Sequence, residues 1–146
     1  MMPSLFNFEV HTPYRLFFSG KAETIILTLL DGEIGVYAHH AAFTSPVVTG
    51  KLQIKTETGE WRTAFIANGI LEVKDHKNVL MVDTAEWPEE IDKDRALADK
   101  HQAEEDLKAA HLKFEADRVK ARLRRADYRL MVQGMRKVTP DEVKNG

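Results

Sequence analysis

The chain has no cysteine. Disulfides, thiolate catalysis and cysteine-ligated zinc are therefore excluded, and a reducing compartment suits it. It has no surplus of charge either: 21 basic residues against 23 acidic ones give a formal net charge of −2. Such a balance gives no whole-molecule reason to expect nucleic acid or a membrane as partner. No apolar run approaches the ~20 residues a membrane-crossing helix needs. Met1-Met2-Pro3-Ser4 lacks the basic segment and apolar stretch of an export signal, so the chain is expected to stay inside the cell. Enzymatic motifs are missing as well. Neither Gly20-Lys21-Ala22 nor Gly50-Lys51-Leu52 has the upstream glycine and downstream hydroxyl of a phosphate-binding loop. There is no nucleophile elbow and no His-Glu-x-x-His.

What is present divides into two halves. The length of 146 residues, 43% of them hydrophobic, suffices for one domain with a real core or for a small domain plus an appendage. Residues 5 to 83 read as strands and turns. Leu52 and Ile54 alternate with Gln53 and Lys55, and Trp61, Thr63 and Phe65 alternate with Arg62 and Ala64. A period of two marks strands with one wet face. Glu57 to Glu60 suits a short hairpin loop, and Asn68-Gly69 is a strong two-residue hairpin signal, because both residues tolerate positive φ. Asp31-Gly32 and Asp75 to Asn78 punctuate the remaining apolar runs. Turn signals about every ten residues predict an all-β domain over 1–87, a flattened sandwich or barrel.

After Trp87-Pro88 the pattern changes. No glycine or proline occurs from Glu89 to Met131. Pro88 suits a first helical turn, and Glu89, Glu90, Asp92 and Asp94 follow where the helix dipole favours negative charge. Ala96, Ala103 and Ala110 repeat every seven residues, with Leu107 and Phe114 on the same seam. A second seam runs through Leu112, Ala116, Val119, Leu123, Ala126 and Leu130, two positions out of phase with the first. One straight helix does not keep a single buried stripe across such a slip. Residues 89–106 hold eight acids and three bases, while 113–137 hold nine bases and three acids, so antiparallel arms attract. The prediction is a helical hairpin over 88–137, then a tail over 138–146. Nothing in its turn enforces the break, so the hairpin is one that can straighten.

His39-His40 is the one pair suggestive of a metal, but adjacent strand side chains point to opposite faces. A surface loop with two histidines accounts for them better, and no metal site is expected. Trp61 and Trp87 read as core or domain-junction aromatics. The basic second arm admits three readings: a nucleic-acid face, a solvated helix face, or a helix that docks on an acidic protein surface. The last is preferred.

The run Asp31-Gly32-Glu33-Ile34-Gly35-Val36-Tyr37, followed by His40-Ala41, resembles the signature loop of the ε subunit of F-type ATP synthases. His11-Thr12-Pro13, Asn68-Gly69-Ile70-Leu71-Glu72-Val73, Asp83-Thr84-Ala85-Glu86 and Ile91-Asp92-x-x-Arg95-Ala96 match in the same order. The resemblance spans about residues 5 to 135. The chain departs from the family at Ala38-His39, usually Pro-Gly, at Ala42, usually Pro, and at Asn68, commonly Gly.

This resemblance implies a non-catalytic rotor subunit of a proton- or sodium-translocating synthase, peripheral on the cytoplasmic face of a bacterial membrane. Its partners would be the γ subunit, the c-ring and the catalytic α and β subunits. Glu33 and His40 fall in the ring-facing loop, and Arg118 and Arg122 in the arm that blocks rotation when extended. No cofactor is required. ATP is implied as a regulatory ligand of the folded hairpin, held by Glu86, Asp92, Arg95, Ala96, Arg125 and Arg129. The contrasting expectation is a small β-sandwich enzyme or ligand-binding domain using His11, Glu33, His39 and His40, with the helices as an oligomerisation arm.

Overall fold

The computed structural model of the protein describes residues 4–136; the predicted tail 138–146 lies outside them. Nine strands come first: β1 (Phe6–His11), β2 (Leu16–Leu29), β3 (Gly32–Tyr37), β4 (Phe43–Val47), β5 (Gly50–Thr56), β6 (Trp61–Ile66), β7 (Gly69–Lys74), β8 (Lys77–Val82) and β9 (Ala85–Glu86). A 3-10 turn (Pro88–Glu90) leads to helices α1 (Lys93–Ala109) and α2 (Lys113–Gln133). This is the expected β-sandwich followed by a helical hairpin.

Alternation does most of the local work. Phe6, Phe8 and Val10 of β1 point inward, as do Leu52 and Ile54 of β5 and Leu71 and Val73 of β7. The long strand β2 holds the two layers together. Its first half pairs with β1, and its second half pairs with β5 and β3. Pairing runs β1–β8–β7–β4–β2 and returns from β2 to β1, which closes a flattened barrel. From β2 the sheet continues through β5 and β6 to β9, while β3 pairs with β2 alone. Turns fall where expected at three places. Gly32 (φ 124°) follows Asp31, Gly59 (φ 85°) lies in the β5–β6 loop, and Asp75-His76 links the paired residues Lys74 and Lys77.

Three local expectations are corrected. Asn68-Gly69 is no hairpin, since β6 pairs with β5 and β9, whereas β7 pairs with β4 and β8. The chain crosses between layers there. Asn68 Oδ1 accepts from the backbone N–H and the hydroxyl of Thr49, at 2.9 and 3.0 Å, which fixes the crossing. Gly69 is needed for close approach, because a Cβ would collide with the Met81 carbonyl oxygen. In β6 the dry positions are reversed: Ala64 and Ile66 enter the sandwich core, and Phe65 is buried on the outer face beneath α2. Trp61 is consequently exposed, while Trp87 stacks on Phe17 at 4.3 Å under the Arg62 guanidinium. Finally, Pro88 opens the 3-10 turn and not the long helix. α1 starts at Lys93, capped by Asp92, whose Oδ1 accepts the Arg95 backbone N–H at 3.1 Å.

The break between α1 and α2 is made without glycine or proline. Ala110 and Leu112 adopt extended backbone, and the His111 N–H donates to Glu115 Oε2 at 3.3 Å. Ala96 and Ala103 face Val119 and Ala126 as the buried positions of the two seams. Phe114 stays exposed, because the chain has turned before it can join the first seam. Charge sews the arms together through Arg122–Asp106 at 2.9 Å and Lys100–Asp127 at 3.0 Å. α2 then lies on β5 and β6. There Val132 and Tyr128 meet Phe65, Ala67 and Ile91 in a second, small apolar cluster.

Candidate functional site

The predicted nucleotide residues converge where the two arms meet the β domain. Glu86 closes β9, Asp92 caps α1, Arg95 and Ala96 fill its first turn, and Arg129 approaches from α2. With Glu90, Ile91 and Asp99 they line a cleft of about 180 Å³. Arg125 lies beside it, in an adjoining cleft of about 210 Å³ with Arg122, Asp99, Ala126 and Arg129. Asp99 and Arg129 border both. Sequence reasoning missed Asp99, although it stands one turn after Arg95 on the same helix face.

The side chains differ in availability. Arg129 Nε donates to Glu86 Oε1 at 2.7 Å and its guanidinium lies 4.8 Å from the Phe65 ring centre, so it ties α2 to the sandwich. Arg124 does the same, donating to the Thr49 carbonyl at 3.0 Å. Asp92 Oδ1 accepts the Arg95 backbone N–H of its cap, and its Oδ2 is left to accept from a ligand. Arg15 bonds Glu90 at 2.9 Å and holds that carboxyl below its ordinary range; Arg122 does the same to Asp106. These contributions are present at neutral pH and fade as acid protonates the carboxyls. Among the described residues, Arg95 and Arg125 make no ion pair. Glu86, Glu90 and Asp92 line the first cleft together with Arg95; Arg122 and Arg125 line the second, and Asp99 and Arg129 are shared by both.

Of the predicted interface residues, Arg118 is exposed early in α2, whereas Arg122 is occupied by Asp106. Glu33 is exposed on β3 opposite Thr28. His40 follows the Tyr37 turn, with Nδ1 2.8 Å from the Ala41 carbonyl oxygen. A further surface was not foreseen. Pro46, Ile70, Met81, His11 and Leu16 stand directly opposite one another across β4, β7, β8, β1 and β2. Ile70, Met81 and Leu16 are exposed, so an apolar row crosses the outer face of the layer. Its trace in the sequence is an apolar residue beside an inward one, as in Ile70-Leu71, Met81-Val82 and Leu16-Phe17.

His11, Glu33, His39 and His40 do not form one site. His11 sits opposite Met81, five residues or about 16 Å of strand from His76, which is the ring that His39 faces. Glu33 is the second residue of β3, the strand whose other end leads to His39. The contrasting expectation of an enzyme loses its site.

The class this defines is a closed β-sandwich with an apolar outer row, carrying a helical pair held to it by ion pairs and a small apolar cluster. The family model for the β-sandwich domain of the ATP synthase delta/epsilon chain matches residues 5–88. The ATP synthase epsilon chain of Caldicellulosiruptor saccharolyticus is 48% identical over 125 residues, covering 86% of this chain and 90% of that one. That of Caldanaerobacter subterraneus subsp. tengcongensis is 43% identical over 132 residues, covering 90% and 95%. A chain in the structure of the Euglena gracilis mitochondrial ATP synthase shares the fold, with a TM-score of 0.79, 17% identity, and 93% and 84% of the two chains covered. The chain belongs to the ATP synthase epsilon-chain family. Its members are non-catalytic subunits of the F-type complex. Among the described residues no helix is long and apolar enough to cross a membrane.

Proposed function

We propose that the protein is a rotor subunit whose sandwich docks in the central stalk and whose hairpin is a brake held folded by ATP. The carrying observation is the paired cleft. It is built from β9, from α1 and from α2, so it exists only while the hairpin is folded onto the sandwich. Its polarity suits a nucleoside triphosphate. Asp92 and Asp99 offer acceptors to hydroxyl and amino donors, while Arg95 of the first cleft, Arg125 of the second and Arg129 between them meet phosphate oxygens. A ligand that spans both arms biases the switch by its differential affinity, about 2.7 kcal/mol at 100 times the dissociation constant.

The apolar row through Ile70, Met81 and Leu16 is the face for the γ subunit, and the Glu33–His40 loop is the face for the membrane ring. When the hairpin extends, Arg122 leaves Asp106 and joins Arg118 as free cations for an acidic segment of a catalytic subunit. The whole stands peripherally at the cytoplasmic face of the membrane, in a complex that moves protons or sodium ions.

Calorimetric titration of the full chain with ATP tests this reading, with a fluorescence pair reporting arm distance. Heat with saturation and a shortened arm distance are expected. Arg95→Ala and Arg129→Ala are expected to weaken binding by about 1.5–3 kcal/mol each, the worth of a hydrogen bond to a charged group. The absence of both heat and a distance change at millimolar ATP refutes the nucleotide reading.

A further inference from the structure

Two turns far apart in the sequence meet at one end of the sandwich. The turn after β3 carries His39, and the β7–β8 turn carries Asp75 and His76. Both histidines adopt left-handed backbone, φ 65° and 59°, a region that favours glycine and admits Asn, Asp and His more readily than other residues. Their rings stand edge to face with centres 4.8 Å apart, and Asp75 Oδ1 lies 3.3 Å from His76 Nε2. One ligand atom from each of His39, Asp75 and His76 lies within 4.8 Å of the other two. We propose that these three side chains form a site for a divalent transition-metal ion of the zinc class.

The chemistry of the donors selects the ion. Two imidazole nitrogens and one carboxylate oxygen suit Zn²⁺ and its neighbours, and water completes the shell. Tetrahedral bonds of about 2.0–2.1 Å put ligand atoms on the order of 3.3 Å apart, so the three groups need only a small closure. All three are exposed, which leaves them free to rotate inward. His40 is not part of the set, since its Nδ1 is directed at the Ala41 carbonyl oxygen. The bound ion clamps the free end of β3, a strand paired only with β2, to the β7–β8 hairpin. This site lies on the sandwich and needs neither the nucleotide cleft nor the hairpin.

The test is calorimetric titration of tag-free, chelator-stripped full-length protein with zinc alone, beside thermal melts with and without the ion. His39→Gly and His76→Asn remove an imidazole while keeping a residue that accepts the left-handed backbone, so the fold is retained. One zinc per chain and a raised melting temperature are expected for the wild type and for His40→Ala. Each of the two ligand variants is expected to bind about 10-fold more weakly or worse, and to lose the thermal shift. Absence of binding in the wild type at millimolar zinc overturns the proposal. So does undiminished binding in either ligand variant.

Discussion

Val132 is the residue whose shortening most cleanly separates docking of the hairpin from formation of the hairpin. It is fully buried in the cluster with Phe65, Ala67, Ile91 and Tyr128, where α2 meets β6. Val132→Ala removes two methyl groups, worth about 0.8 kcal/mol each on transfer, and leaves a cavity that raises the cost to about 2 kcal/mol. At about 1.4 kcal/mol per tenfold, the ratio of docked to released hairpin falls roughly 30-fold. The sandwich does not depend on this cluster, because its own core of Phe8, Ile25, Leu52, Leu71 and Leu80 lies between the two layers. Val119→Ala serves as the control. It lies 13 residues or about 20 Å up the same helix, and it is buried in the seam between the arms. Hydrogen exchange read residue by residue is the assay, with the α2 amides and the β strands followed together. Faster exchange at the C-terminal half of α2 in Val132→Ala, with β1 and β8 unchanged, is the expected result. Val119→Ala is expected to open the two helices from each other first. Unaltered protection of α2 in Val132→Ala refutes the claim that this small cluster holds the arm down.

Gly69→Ala is expected to destabilise the sandwich by about 3 kcal/mol or more, since the added methyl meets backbone of β8 and no rotamer can relieve it; urea denaturation reads the loss, and a shift below 1 kcal/mol refutes the close-approach argument. A chain stopped at residue 87 is expected to fold alone with a cooperative β-type melt and to relieve inhibition of ATP hydrolysis in the reassembled complex. An unfolded product refutes the boundary, and unchanged hydrolysis refutes the brake.

The division into halves was legible in the sequence because both secondary structures are local periodicities. Leu52/Ile54 and Phe6/Phe8/Val10 declare a period of two, and the slip between the Ala96–Ala103 and Val119–Ala126 seams declares a fold-back, whatever surrounds them. Asp92, Arg95 and Ala96 were named by the family resemblance and lie close because they are near in sequence, whereas their meeting with Glu86 and Arg129 is tertiary. Tertiary structure alone decided what depends on partners distant in the chain. Asn68-Gly69 has the chemistry of a tight hairpin, yet β7 pairs with β4 and β8, and the crossing is fixed by Asn68 bonding Thr49. Phe65 could be assigned to a dry position, but which face it uses depends on α2 lying over β6. The Arg129–Glu86 bridge, the registered row of Ile70, Met81 and Leu16, and the meeting of His39 with His76 have the same origin. Local preference is written in neighbouring residues, whereas strand partners and helix docking are settled by which distant apolar surfaces can be buried together.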